Sequence, residues 1–317
     1  MQLYFKLSQK GGKYEYSTMS AMVITEGFKL LISVSQLMLA NKGNVAACAA
    51  SIKAVSRQVK FAYLFLAVSY AVYNQINFYI YSLVDPGTFA LFKSLTPGAV
   101  AFLQFVAFRM NLTQSQVLCV IIQMCGIIPV SASTSSETGK VEFTYGAYSV
   151  VVILAMILYG AFNSVYNARV VKNMSADYSV PLQNVVLYGF GVVINLSLYF
   201  ITLSPGDPHF FQGYDNANVF IMLFLNSTVG ITISMVYKYG DAVLKSLSQP
   251  VVSSLLLFLS KVLFGAPLDI IKLSGAGTVI VSTVLYLKLP SAPPRVAPTA
   301  TAAESQPLSR NGRGSLA

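Results

Sequence analysis

The sequence predicts an all-α integral membrane protein built from two related halves, and three observations carry that prediction. Apolar residues make up 55% of the 317 and charged residues only 10%, against about 25% charge in an average soluble domain. Nine segments are apolar over roughly the 20 residues that a bilayer crossing takes. A short phrase occurs twice, about 150 residues apart: Lys93-Ser94-Leu95-Thr96-Pro97 and Lys245-Ser246-Leu247-Ser248-Gln249-Pro250. Each copy opens a mostly apolar run, and a repeat of this kind inside spans is the mark of two folded halves around one site.

The nine spans run, in order, Thr18–Ala40, Phe61–Val84, Pro86–Phe108, Thr113–Ser131, Thr144–Val170, Tyr178–Thr202, Asn218–Tyr239, Asp241–Phe264 and Pro267–Leu287. Short connections marked by Gly and Pro separate several of them, as at Asp85-Pro86-Gly87 and Gly265-Ala266-Pro267. The chain has no Trp, so its 19 Tyr and 20 Phe must supply any interfacial belt.

The loops alternate in charge. One set is basic: Asn41–Lys60, the Arg109 turn, Arg169 to Lys172, Lys238, and the tail with Arg295, Arg310 and Arg313. The other set is neutral or acidic: Asp85, Glu137 to Glu142, and Ser204–Asn216. Basic loops mark the cytosolic side, which places the C-terminus there and, with nine spans, the N-terminus in the lumen. Met1–Ser17 carries Lys6, Lys10 and Lys13 and no signal peptide, so a luminal placement fits it poorly. The expectation is that a first helix is missing, with Met1-Gln2-Leu3-Tyr4-Phe5 as its remnant. The expected organisation is therefore a short N-terminal segment (1–17), a transmembrane transporter domain (18–288) and a disordered cytosolic tail (289–317) rich in Pro, Ala, Ser and Thr.

Several function classes are excluded. The net charge of +10 is scattered over many short loops, which is not the patch that nucleic acid requires. One histidine, His209, and three cysteines, Cys48, Cys119 and Cys125, show no metal or disulfide spacing, and packing is the reading for the cysteines. No paired carboxylates and no nucleophile–His pair fall within a span, so an enzyme is not expected, and no cofactor or metal is called for.

Polar residues inside spans are the candidates for function, because each needs a partner or a ligand. Lys93 and Thr96 lie three apart on one helix face, and Asn184 and Tyr188 lie four apart on another. Lys93 has no carboxylate within a turn. Lys245 has Asp241 four residues before it at the span edge, yet a ligand role is expected for both lysines. Lys261 should snorkel to the interface. Glu26 is the one acidic residue well inside a span, and Lys29 follows a turn later, so an internal ion pair is expected. Proton coupling and cationic cargo both want a free membrane carboxylate. Lysines, amides and hydroxyls instead suit phosphate, sugar hydroxyls and a nucleobase edge.

With these residues in view, the sequence resembles the nucleotide-sugar transporter family of the drug/metabolite transporter superfamily, in its CMP-sialic acid and UDP-galactose branch, plant members included. The matching phrases are Gly11-Gly12-Lys13-Tyr14, Ile24-Thr25-Glu26-Gly27-Phe28-Lys29-Leu30-Leu31-Ile32-Ser33, Tyr70-Ala71-Val72-Tyr73-Asn74, Val84-Asp85-Pro86-Gly87-Thr88-Phe89, Gln183-Asn184-Val185-Val186-Leu187-Tyr188 and Lys238-Tyr239-Gly240-Asp241-Ala242-Val243-Leu244-Lys245. Their order and spacing carry the resemblance. It implies ten helices in two halves, and exchange of a cytosolic CMP- or UDP-linked sugar for a luminal nucleoside monophosphate by alternating access. It also implies the Golgi membrane, with the endoplasmic reticulum as the alternative. It places Asn74, Asn184, Tyr188, Ser234 and Lys245 at nucleotide-lining positions, with Lys245 facing phosphate. Three departures stand out: Phe89 where the family has Tyr, Thr96 where its first-half lysine falls, and Ala168 where it has Glu. The alternatives are a non-transporting scaffold of the same fold, or a carrier of another small anionic metabolite. The oligomeric state, homo- or hetero-, stays open.

Overall fold

The computed structural model describes residues 8–10, 13–83, 92, 93, 95–108, 113–131, 147–240, 242–248, 251, 254 and 270–289. Expectations about Met1–Phe5, the Asp85–Phe89 phrase, the Arg109 turn, Glu137–Glu142, Asp241, Lys261 and the tail from 290 onward lie outside those residues.

A short hairpin, β1 (Gln9–Lys10) with β2 (Lys13–Tyr14), comes first, and the other regular elements among the described residues are helical. The helices are α1 (Thr18–Ala40), α2 (Val45–Ala54), α3 (Arg57–Leu83), α4 (Thr96–Phe108), α5 (Gln114–Ser131), α6 (Ala147–Arg169), α7 (Val180–Thr202), α8 (Ala217–Tyr239) and α9 (Ile270–Lys288). Residues 242–248 are helical as well. Among the described residues, four helical stretches are long and apolar enough by length and composition to cross a membrane: Thr18–Ala40, Tyr148–Met174, Val180–Thr202 and Ala217–Tyr239. Their outer faces and those of their neighbours expose large apolar side chains such as Phe102, Phe105, Leu158, Phe200, Phe224 and Val281, as lipid contact demands.

Local chemistry sets the ends. Ser17 caps α1 by accepting from the Ser20 amide. At the other end of α1 the chain turns through Lys42 (φ +53°) and Gly43 (φ +79°), whose amide returns to the Met38 carbonyl at 2.9 Å. The stretch read from sequence as a basic loop, Asn41–Lys60, contains helix α2 and the first turn of α3. Asn44 caps α2 by accepting from the Ala47 amide at 3.0 Å, and an Ala-rich run follows it. α6 continues into a π-helical turn, Val170–Met174, which Ser175 closes with its amide on the Val170 carbonyl at 2.9 Å.

The packing interleaves the two halves. Aligning the repeated lysine phrases pairs α1 with α7, α3 with α8 and α5 with α9. The most extensive contacts run between paired helices, α1 on α7 and α5 on α9. The contact of α3 with α7 is mirrored by that of α8 with α1, and α1 with α3 by α7 with α8. A pseudo-two-fold produces this pattern. α6 stands outside the pairing and packs against α3 and α4. Glycine permits the α5–α9 approach: a Cβ on Gly126 would meet the Thr278 side chain at 3.0 Å and the Gly275 carbonyl at 3.2 Å. Of the cysteines, Cys48 and Cys119 are buried, while Cys125 is exposed on α5, which corrects the packing reading for that residue.

Candidate functional site

The inward face of α3 carries Tyr70, Tyr73, Asn74 and Asn77 at helical spacing, all partly buried. This face meets α6, whose Tyr159, Asn163, Ser164 and Asn167 follow the same rule. Ser69 pairs with Tyr159 through their hydroxyls at 2.7 Å and donates to Asn163 Oδ1. Asn167 Nδ2 donates to the Tyr70 hydroxyl at 2.8 Å. The Tyr70 hydroxyl in turn faces Tyr237 on α8.

The two lysines come to this place from opposite halves. Lys93 Nζ donates to Asn77 Oδ1 at 3.5 Å. Lys245 Nζ donates to Ser164 Oγ at 3.2 Å and faces the Tyr237 hydroxyl. Among the described residues Lys245 has no carboxylate partner. The two ammonium charges both lie within electrostatic reach of Tyr73. Like charges in a low-dielectric interior repel, and a bound anion relieves that repulsion. A phosphate suits that place.

A second polar group lies where α1, α7 and α8 meet. Glu26 Oε1 accepts from Lys29 Nζ at 2.7 Å, with the residues 7% and 8% exposed. Two glycines make room for this ion pair. A Cβ on Gly191 of α7 would meet Glu26 Oε2 at 2.9 Å, and one on Gly230 of α8 would meet Lys29 Cε at 2.6 Å. Lys29 Nζ stands 5.3 Å from the ring centroid of Tyr188. The Tyr188 hydroxyl donates to the Gly230 carbonyl at 3.1 Å and shares a 3.0 Å hydrogen bond with Ser234.

The site residues read from sequence therefore fall into two neighbouring groups. Lys93 is held by Asn77 of α3 and Lys245 by Ser164 of α6, with Asn74 one turn before Asn77 on α3 and Thr96 a turn beyond Lys93 at the start of α4. Tyr188 and Ser234 bond to each other beside the ion pair. Asn184, a turn before Tyr188, is 2% exposed, and its Nδ2 has no hydrogen-bond partner among the described residues. Gln183, in contrast, serves the loop, donating to the Ser175 and Tyr178 carbonyls at 2.6 and 2.9 Å. Sequence reasoning missed Tyr70, Tyr73, Ser164, Asn167 and Tyr237. The spacing of Tyr70, Tyr73 and Asn77 was a signal for the first two. For Ser164 and Tyr237 only the fold reveals the lysine beside them. Among the described residues no group of three metal-ligating side chains occurs.

The family profile described as nucleotide-sugar transporter matches residues 1–287. The chain is 28% identical over 285 residues to CMP-sialic acid transporter 2 of Oryza sativa subsp. indica, covering 88% of this chain and 77% of that one. It is 25% identical over 281 residues to CMP-sialic acid transporter 4 of Arabidopsis thaliana (88% and 78%), and 23% identical over 313 residues to the UDP-galactose transporter senju of Drosophila melanogaster (88% and 79%). A crystal structure of another protein superposes with a TM-score of 0.62 at 13% identity, over 90% of this chain and 95% of that one, a likeness of fold alone.

Proposed function

We propose, from the premise that the chain belongs to the nucleotide-sugar transporter family, that it is an antiporter exchanging a cytosolic CMP- or UDP-linked sugar for a luminal nucleoside monophosphate. The observation that carries this reading is that Lys93 and Lys245, one from each half, are held on the packed helices α3 and α6, by Asn77 at 3.5 Å and by Ser164 at 3.2 Å. Buried ammonium groups hold phosphate as point charges, and a phosphate is what nucleotide sugar and monophosphate share.

Alternating access follows from the same geometry. A phosphate bridging the lysines ties the halves together at their centre, and the halves rock about it. Without an anion the two charges repel in a poorly solvated place, so the unloaded carrier switches sides reluctantly. That asymmetry makes the cycle an exchange. Asn74, Thr96, Asn184, Tyr188 and Ser234 supply the amides and hydroxyls for base and sugar. The alternation of loop charge supports a cytosolic C-terminus, and relatives named for CMP-sialic acid and UDP-galactose transport support a Golgi membrane.

The test is exchange in proteoliposomes preloaded with CMP, UMP or GMP, scored as uptake of radiolabelled CMP- and UDP-sugars. Uptake that depends on preloaded CMP or UMP is the expected result and names the base. Uptake indifferent to all three nucleotides would point to another anionic cargo. A folded protein that exchanges nothing would point to a scaffold.

A further inference from the structure

Tyr73 lies on α3 one turn before Asn77, the residue that accepts from Lys93. Its ring lies against Gly160 of α6, where a Cβ would meet Tyr73 Cε2 at 2.7 Å and the hydroxyl oxygen at 3.1 Å, so glycine alone admits the ring at this depth. One turn along α6, Ser164 donates to the Gly160 carbonyl at 2.9 Å while accepting from Lys245. One turn along α3, Asn77 donates to the Tyr73 carbonyl at 3.0 Å while accepting from Lys93. Tyr73 is thus bracketed by the two groups that hold the two lysines, and both lysine charges reach its phenol.

The chemistry of the place is specific. An ammonium only donates, a phosphate oxygen at neutral pH mostly accepts, and a hydroxyl does either by rotating about its C–O bond. It is therefore the group that serves a site passing between lysines alone and lysines with phosphate. We propose that Tyr73 is a phosphate-touching positioning residue, its hydroxyl donating to a phosphate oxygen in the loaded carrier, with Gly160 as the seat that keeps it there. The proposal rests on the assignment of Lys93 and Lys245 to phosphate, and its ligand class is a phosphomonoester dianion.

The experiment compares wild type, Tyr73→Phe, Gly160→Ala, the double variant and Lys245→Ala in proteoliposomes. It measures the half-saturating concentration of whichever nucleoside monophosphate the wild type exchanges, and inhibition by the matching nucleoside, which has no phosphate. Tyr73→Phe keeps the ring and removes one oxygen. It should raise half-saturation by the monophosphate about tenfold, the worth of a lost hydrogen bond to a charged group, and leave nucleoside inhibition unchanged. Gly160→Ala should do the same by displacing the ring, and the double variant should be no worse than either single change, because both act on one hydroxyl. If Gly160→Ala does not fold, Tyr73→Phe decides alone. Wild-type half-saturation in Tyr73→Phe, or an equal loss for nucleoside and monophosphate, overturns the proposal. When Lys245→Ala is dead and Tyr73→Phe is normal, the role of Tyr73 fails and the phosphate site stands. When Lys245→Ala exchanges normally, both fail.

Discussion

A buried ammonium with no carboxylate beside it among the described residues is held by dipoles, and Lys245 is held in that way by Ser164 and Tyr237. Such a charge is retained at a cost in stability, which its ligand removes. Lys245→Ala is therefore expected to abolish nucleotide-sugar uptake while leaving the thermal midpoint in detergent unchanged or higher. A loss of uptake with a collapsed midpoint would make it a structural residue. Glu26 and Lys29 obey the opposite rule, since here the pair itself is the stable arrangement. Glu26→Ala leaves an uncompensated buried lysine and should lower stability by about 3–5 kcal/mol, seen as a fall in midpoint. Adding Lys29→Met should recover most of that fall, and if it does not, the cost lies in lost packing on Gly191 and Gly230.

At the scale of the element, small residues decide how closely helices approach. α5 and α9 meet at Gly126, Gly275 and Thr278. Gly126→Val would push branched carbon into the Thr278 side chain and the Gly275 carbonyl, at an expected cost of about 1–3 kcal/mol from overpacking. Thermal unfolding of the variant in detergent checks this, and an unchanged midpoint would mean the two helices slide apart freely. Helix identity was legible for the same reason that the membrane was: long apolar runs bounded by Ser, Asn, Gly and Pro. What the runs could not show was α2, because Val45–Ala54 is too short and too near charged residues to read as a span. The π-helical turn after α6 was equally hidden, since it depends on Ser175 bonding back to Val170 and on Tyr63 reaching Ser175 at 2.9 Å from another helix.

For the whole molecule the pseudo-two-fold matters most, because it relates the helices of the two halves and gives each half one lysine of the repeated phrase within the helical bundle. If both serve one phosphate, their removal is not additive. Lys93→Ala and Lys245→Ala should each weaken equilibrium binding of the monophosphate to the detergent-solubilised protein by tenfold or more, and the double variant should exceed the worse single one only slightly. Losses that multiply in the double variant would assign the lysines to separate groups of the ligand.

The sequence by itself determined the class of molecule. Low charge and nine apolar runs leave a helical bundle in a bilayer as the stable outcome, because every backbone polar group in lipid must be satisfied within its own helix. It also singled out the residues for which a role is proposed, since a lysine such as Lys93 or Lys245 within a span is costly to keep. Tertiary structure decided the neighbours. That Lys245 rests on Ser164, that Tyr73 occupies the gap above Gly160, and that Gly191 and Gly230 enclose the Glu26–Lys29 pair are relations between segments about 80 to 200 residues apart in the chain. No local period encodes such relations; they come from the interleaving of the two halves, in which a missing Cβ on one helix leaves the space that a side chain from another fills.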